Sequence, residues 1–391
     1  MSKGRDVRVK ILRIVPMFRR DREVEAYIPQ MIGFNQNDEL ELLRRISRTV
    51  PDKKWAFVQN SIPEEYAGVL ITQYSGKDRI RAVRESNKDV IGYNLKVELG
   101  VKELFEVCHA VAVDTQYEQF TQIMALLGVY CDERTKTIAL SVNSLEQFDH
   151  WRNLGFDYFI GDFYTKTVIS DGVAVEKLNP VKANQIALLS EIATWNDDDK
   201  NQDLHRMSAI IERDVALTMH ILKVANSAAY GGRKKISQIH DAIVRVGTAY
   251  IKRWATSYLS TAVTDEKTPE ISRVALLRSK FMENICAQLG LDKWMGFFTG
   301  LASVAGVMLG MSQEDALTEM HAPEQVRRYL CGEEGIGRAF GVVESYINGN
   351  QEKLEKLLEG TELAEKLYLS YMNAETWVTD ILRQMEASVL A

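Results

Sequence analysis

The sequence predicts a two-part protein: an α/β N-terminal half, a shortened TIM-type barrel, followed by an all-α C-terminal half. Three observations carry this. Up to about residue 165, short β-rich runs alternate with helical segments, the pattern of a mostly parallel sheet covered by helices. From about residue 183 the strand signals vanish and helical periodicity continues through the tail. Between them, a loop around Gly172 and Pro180 marks the change. The expected domains are residues 1–170 and 183–391, joined by a linker at 171–182. The first half is short beside the roughly 250 residues of a typical eight-stranded barrel, hence the shortened form.

Seven runs rich in β-branched and aromatic residues are the expected strands: Val9–Val15, Lys54–Val58, Val69–Gln73, Val90–Val97, Ala110–Val113, Thr137–Val142 and Phe156–Ile160. Helices are expected at Asp38–Thr49, Tyr117–Leu127 and Leu145–Leu154, where apolar residues recur at helical spacing. A last short strand is expected at Val168–Ile169.

The densest local logic in the C-terminal half runs from Met207 to Trp254. Asp214 is a helix N-cap, because its carboxylate can accept from free N–H groups at the helix start. Leu217, Ile221, Val224, Ala225 and Ala228 then recur at helical spacing and form one apolar face. Asn226-Ser227 stands near the helix end, and Gly231-Gly232 stops it. Arg233-Lys234-Lys235 follows. Ser237 is the expected cap of the next helix, which ends at Gly247, and Thr248 the cap of a third.

Composition narrows the function classes. The 391 residues are 46% hydrophobic and 26% charged with net charge −6, which argues against an electrostatic nucleic-acid binder. Cys108, Cys131, Cys286 and Cys331 are dispersed with no C-x-x-C pair, which fits thiols in a reducing cytoplasm rather than a disulfide framework. The N-terminus shows no signal-peptide pattern. The uncharged run Trp294–Met311 barely reaches bilayer length and reads as a buried helix, so no membrane insertion is expected.

A search for chemistry returns little. Six histidines are scattered at 109, 150, 205, 220, 240 and 321. The His240-Asp241 dipeptide has no second such pair to complete a two-metal site, and His205 with His220 is too sparse for a metal centre. Asn196–Asp199 reads as a solvated acidic turn. There is no phosphate loop and no nucleophile elbow. Glu98 and Asp114 are the carboxylates at expected strand ends, where barrel chemistry usually sits. Arg233, Lys234, Lys235, Arg245 and Lys252 form the candidate interaction surface, read first as a solvated basic rim.

Two resemblances sharpen the reading. DVAL (214–217), LKVANSAA (222–229), ISQI (236–239), AIVRVG (242–247) and KRW (252–254) resemble the HDOD domain pattern, with Val215 replacing a proline and Val246 a leucine. HDOD domains are helical relatives of HD phosphohydrolases without the metal ligands. The resemblance puts Arg278 and Ser303-Val304 where the first histidine and the central His-Asp would stand, so His240-Asp241 is not that dyad. In the N-terminal half, VPMFRRDREVEAY (15–27) and LGFDYFIGDFYTKT (154–167) resemble the two ends of the EAL domain in compact EAL–HDOD (YuxH-like) signalling proteins.

EAL domains hydrolyse cyclic di-GMP with two metals held by Glu, Asn and Asp. Here the resemblance puts Ile28 at the signature glutamate, Gln59 or Asn60 at the asparagine, Thr72 at the next glutamate and Glu98-Leu99 at the Asp pair. It keeps Asp114, and puts Leu140 and Asn143 where carboxylates belong and Ile160 at the late glutamine. It therefore implies the fold without the activity, with no catalytic residue, cofactor or metal. The expectation is a cytoplasmic, catalytically inactive adaptor that acts through protein partners in cyclic-di-GMP, motility or biofilm control; homo-oligomerisation stays open. Two alternatives are a cyclic-di-GMP receptor without hydrolysis, argued against by the lost ligands, and a nucleic-acid regulator using the basic face, argued against by the acidic total.

Overall fold

A computed structural model of the chain describes residues 9–35, 38–39, 41–42, 45–46, 56–57, 69–72, 90–94, 110–116, 135–165, 180–193, 204–227, 230, 235–263, 269–332, 335–359 and 361–389. The chain forms two compact units. The first comprises Met1–Val168 with Gly349–Glu355 and Ala364–Tyr368; the second comprises Ile169–Asn348, Lys356–Leu363 and Leu369–Ala391.

Among its described residues the first unit is built on a mixed sheet of eight strands: β1 (Ile11–Arg19), β2 (Val24–Ile32), β3 (Ala56–Phe57), β4 (Val69–Thr72), β5 (Val90–Asn94), β6 (Ala110–Asp114), β7 (Lys136–Leu140) and β8 (Tyr158–Ile160). Their order is β2-β1-β8-β7-β6-β5-β4-β3. β3 to β8 run parallel in sequence, while β1 is antiparallel to both β2 and β8. The expected strand at 9–15 extends to Arg19, and the reversal at Arg20–Glu23 was not anticipated. There Asp21 accepts from the backbone N–H of Glu23 at 3.0 Å, and Arg22 takes φ 69°. β2 was missed because Glu25 and Pro29 interrupt its apolar alternation.

Helix α1 (Leu145–Asn153) begins where Ser144 accepts from the N–H of Gln147 at 3.2 Å. It buries Phe148 and Trp151. Phe148 packs on Phe159 and Phe163 with ring centroids 4.4 and 4.7 Å apart. Phe18 meets Phe163 at 5.0 Å, so this aromatic group ties β1 and β8 to α1. The expected helices at 117–127 and most of 38–49, and the strand at 168–169, lie outside the described residues.

Within its described residues the second unit is helical. Its elements are α2 (Pro180–Ala193), α3 (Leu204–Ile211), α4 (Val215–Ala225), α5 (Ile239–Val246), α6 (Thr248–Val263), α7 (Pro269–Gln288), α8 (Lys293–Ala302), α9 (Ala305–Leu309), α10 (Gln313–Glu319), α11 (Glu324–Leu330) and α12 (Ile336–Ile347). Two more helices, α13 (Gln351–Leu358) and α14 (Leu367–Val389), divide between the units.

The uncharged run at 294–311 is two buried helices, α8 and α9, broken at Ser303-Val304. Among the described residues no helix is long and apolar enough to cross a membrane. Small residues let α8 press on α7: a Cβ on Gly300 would stand 2.5 Å from the Arg278 carbonyl oxygen, and one on Gly296 2.5 Å from Cys286 Sγ. Burial, with Asp292 and Glu283 nearby, pushes the Cys286 thiol up to about 12, so it stays a packed thiol rather than a nucleophile. A buried ion group crosses the unit as well: Arg273 binds Glu270 at 2.7 Å and Glu375 at 2.8 Å, and Tyr371 donates to Glu375 at 2.7 Å.

The Gly300 contact is against backbone, which cannot move aside as a side chain can. Gly300→Ala is expected to lower stability by about 1–3 kcal/mol, read as a reduced urea midpoint at unchanged slope.

Candidate functional site

The segment from α3 to α6 is organised by caps and side-chain bridges. Asp214 caps α4, accepting from the N–H of Leu217 at 2.9 Å. At the other end, Asn226 acts as a clasp. Its Nδ2 donates to the carbonyls of Leu222 and Ile236, and its Oδ1 accepts from the N–H of Ile236, all at 2.8 Å. The side-chain amide thus imitates a peptide group and closes the base of the turn leading to α5. Gly247 ends α5 at φ 95°, where a side chain would be strained. Gln238, not Ser237, occupies the N-cap position of α5, and its side chain makes no capping bond.

Three consecutive residues of α6 reach three other helices. Lys252 Nζ lies 4.1 Å over the ring of Trp294 on α8. Arg253 binds Glu283 on α7 through Nε at 2.9 Å and Nη2 at 2.5 Å. Trp254 stacks on His220 of α4, with ring centroids 3.5 Å apart and planes 9° from parallel. His220 is 6% exposed and, among the described residues, neither ring nitrogen has a hydrogen-bond partner. Desolvation, with a smaller effect of Lys223, pulls its pKa down to about 4. His220 is therefore a neutral packing ring. His205 takes a different partner from the one its spacing suggests: its ring lies on that of His240, centroids 4.7 Å apart.

The candidate basic surface does not survive intact. Lys252 is 1% exposed and belongs to the interior, because its place on α6 faces α8. Arg245 is half-buried and donates to the carbonyl of Ala225 at 3.3 Å. Lys235 is exposed. Arg233 and Lys234 lie outside the described residues, as do Glu98 and the 196–199 turn.

The positions that the resemblances single out do come together. In the helical unit, Arg278 Nη1 donates to Ser303 Oγ at 3.3 Å, and Ser303 Oγ donates to the Gly300 carbonyl at 2.7 Å. These residues do not fit a metal: a guanidinium has no lone pair to give and brings its own positive charge, and Val304 is a buried alkyl group.

In the sheet unit, Ile28, Leu140 and Ile160 join one apolar cluster with Met17, Ala26, Ala110, Ala112 and Ile138. Strand register explains it: Val15 pairs with Ile28, Met17 with Ile160 and Ala112 with Ile138. Asp114, at the end of β6, is half-buried, and its Oδ1 accepts from the N–H of Gln116 at 3.1 Å, the work of a turn residue. Thr72 ends β4, and the N–H of Asn143 donates to Gln147 Oε1 at 2.7 Å. A cluster of alkyl groups cannot hold a pair of divalent ions. Among the described residues no group of three or more His, Cys, Asp or Glu side chains is placed to bind a metal.

Comparison with known families gives a match to the HDOD domain over residues 187–329. Residues 187–329 are an HDOD domain. The caps and clasps described above therefore lie inside it. The chain is similar to cyclic di-GMP phosphodiesterase CdgJ of Vibrio cholerae serotype O1, 22% identical over 255 residues, covering 64% of this chain and 57% of that protein. It is also similar to YuxH of Bacillus subtilis strain 168, 24% identical over 252 residues, covering 63% of this chain and 59% of that one. The chain thus matches less than two thirds of the length of these relatives. A solved chain from Marinobacter aquaeolei VT8, described in terms of signal transduction, aligns with all of this chain and 95% of its own at 10% identity and a TM-score of 0.38.

Two expectations follow for stability. The unfolded chain takes up a proton at His220 near its ordinary pKa of 6.5, well before the folded HDOD domain does at about 4. Stability is therefore full above pH 6.5 and falls as pH drops towards 4. His220→Phe, which keeps a ring against Trp254, should make that limb shallower in urea titrations run across the range. In the sheet unit, Ile28→Glu should cost several kcal/mol by burying an unpaired carboxylate, whereas Ile28→Val should cost only about 0.5–1.5 kcal/mol, both read from denaturation midpoints.

Proposed function

We propose that this protein is a catalytically inactive signal-transduction adaptor that works through protein–protein contact in a bacterial cyclic-di-GMP, motility or biofilm pathway. Its sheet unit is a degenerate EAL-like domain of the shortened TIM-type barrel form, set ahead of the HDOD domain in the cytoplasm. The observation that carries the reading is the apolar cluster at Ile28, Leu140 and Ile160. Those are the positions where the EAL resemblance requires polar ligands, and they have become packing residues together. The Arg278–Ser303 contact supports the same reading in the HDOD domain. For the barrel form, the support is that the edge strands β2 and β3 approach with Cα atoms within 8 Å.

Adaptor work needs surface, and the HDOD domain offers some. Helices α4 and α5 pack on one another, and α4 leaves Val215 and Met219 73% and 67% exposed while α5 leaves Val244 63% exposed. Apolar side chains this exposed suit contact with another protein. We add Lys235, Arg245, Arg233 and Lys234 as candidate contact residues on the strength of their charge in the sequence. A rival reading, hydrolysis of cyclic di-GMP, is favoured by the name of the V. cholerae relative.

The full chain with Mg²⁺ or Mn²⁺ is expected to leave cyclic di-GMP intact by chromatography, and calorimetry is expected to find no binding of it. Turnover that Asp114→Ala abolishes would instead establish the enzyme. Binding without turnover would make the protein a receptor.

A further inference from the structure

We propose that His205 and His240 form a two-imidazole clamp for a divalent transition-metal ion of the Zn²⁺, Ni²⁺ or Cu²⁺ class. The two residues come from different helices of the HDOD domain, α3 and α5. Their ring centroids stand 4.7 Å apart. Two imidazoles on one zinc, each nitrogen at about 2.0–2.1 Å, hold their ring centres roughly 5 Å apart. The fold has therefore already set the spacing that chelation requires. What remains is side-chain rotation, since the planes now lie 20° from parallel. His205 is exposed and the His240 side chain is 35% exposed, so an ion can enter and water can complete its coordination.

The neighbouring carboxylate adds an independent argument. Asp241 Oδ1 lies 3.6 Å from His240 Nδ1. At that separation Asp241 makes no hydrogen bond to the ring, and its negative charge stands close enough to favour a bound cation. With two nitrogen ligands and no third ligating side chain among the described residues, the clamp holds its ion less tightly than a structural zinc site. It prefers ions that accept imidazole over Mg²⁺ and Ca²⁺, which want oxygen. Bound metal ties α3 to α5 one turn from Val244, so occupancy stiffens the helix pair and adds positive charge beside an exposed apolar residue.

Titration of the full-length protein with ZnCl₂, NiCl₂ and MgCl₂, by calorimetry and thermal melting, tests this. Zinc and nickel should bind near one per chain and raise Tm, while magnesium should do neither. His205→Gln and His240→Gln should each weaken binding at least tenfold, and the double variant should add little. Asp241→Asn should weaken it by a smaller factor. Should a variant lose its fold, Cu²⁺ electron paramagnetic resonance on the unaltered protein still decides, since the clamp requires two imidazole nitrogens on the copper. Binding that survives both single variants, or copper spectra with one nitrogen, would mean an adventitious ion only and would overturn the clamp.

Discussion

The helical unit depends on α6 being held from three sides at once. Successive helix positions point about 100° apart, so Lys252, Arg253 and Trp254 necessarily look in three directions. Each meets a different helix and uses a different force: a cation over an indole, a charge-assisted hydrogen bond and a ring stack. α6 also packs along α2. Desolvated cation–π contacts contribute about 2 kcal/mol, which offsets part of the cost of burying the lysine. Burial also fixes the chemistry available here. A lysine capped by an indole, a histidine held neutral and an arginine bound to glutamate all serve here as packing groups.

Local rules were legible in the sequence, and pairings across space were not. Asp214, Gly247 and the 145–153 helix could be read because caps and periodicity act within a turn or two. Lys252 could not be read: its neighbours Lys234, Lys235 and Arg253 suggest a charged rim, and only the approach of Trp294 from α8 turns it inward. His205 shows the same limit, since nothing in its spacing favours His240 over His220. β2 was hidden for another reason: its charged and proline positions are tolerated because β1 covers only one of its edges.

Asn226 shows how a polar residue can be structural without being a site. By bonding both the N–H and the carbonyl of Ile236, it gives one strand-like rung where no strand exists. The asparagine of the HDOD pattern is in this chain a geometric requirement, since aspartate would lose the donor and leucine would lose both bonds.

The apolar cluster around Ile28, Leu140 and Ile160 also bears on how this chain can change over time. A metal site gains affinity only when several ligands are present together, whereas each buried carboxylate is destabilising from the moment it arrives. A route back through single substitutions therefore crosses intermediates that fold less well and bind nothing. The packing works as a ratchet: alkyl groups enter such a position one at a time at little loss, and leave it only in concert.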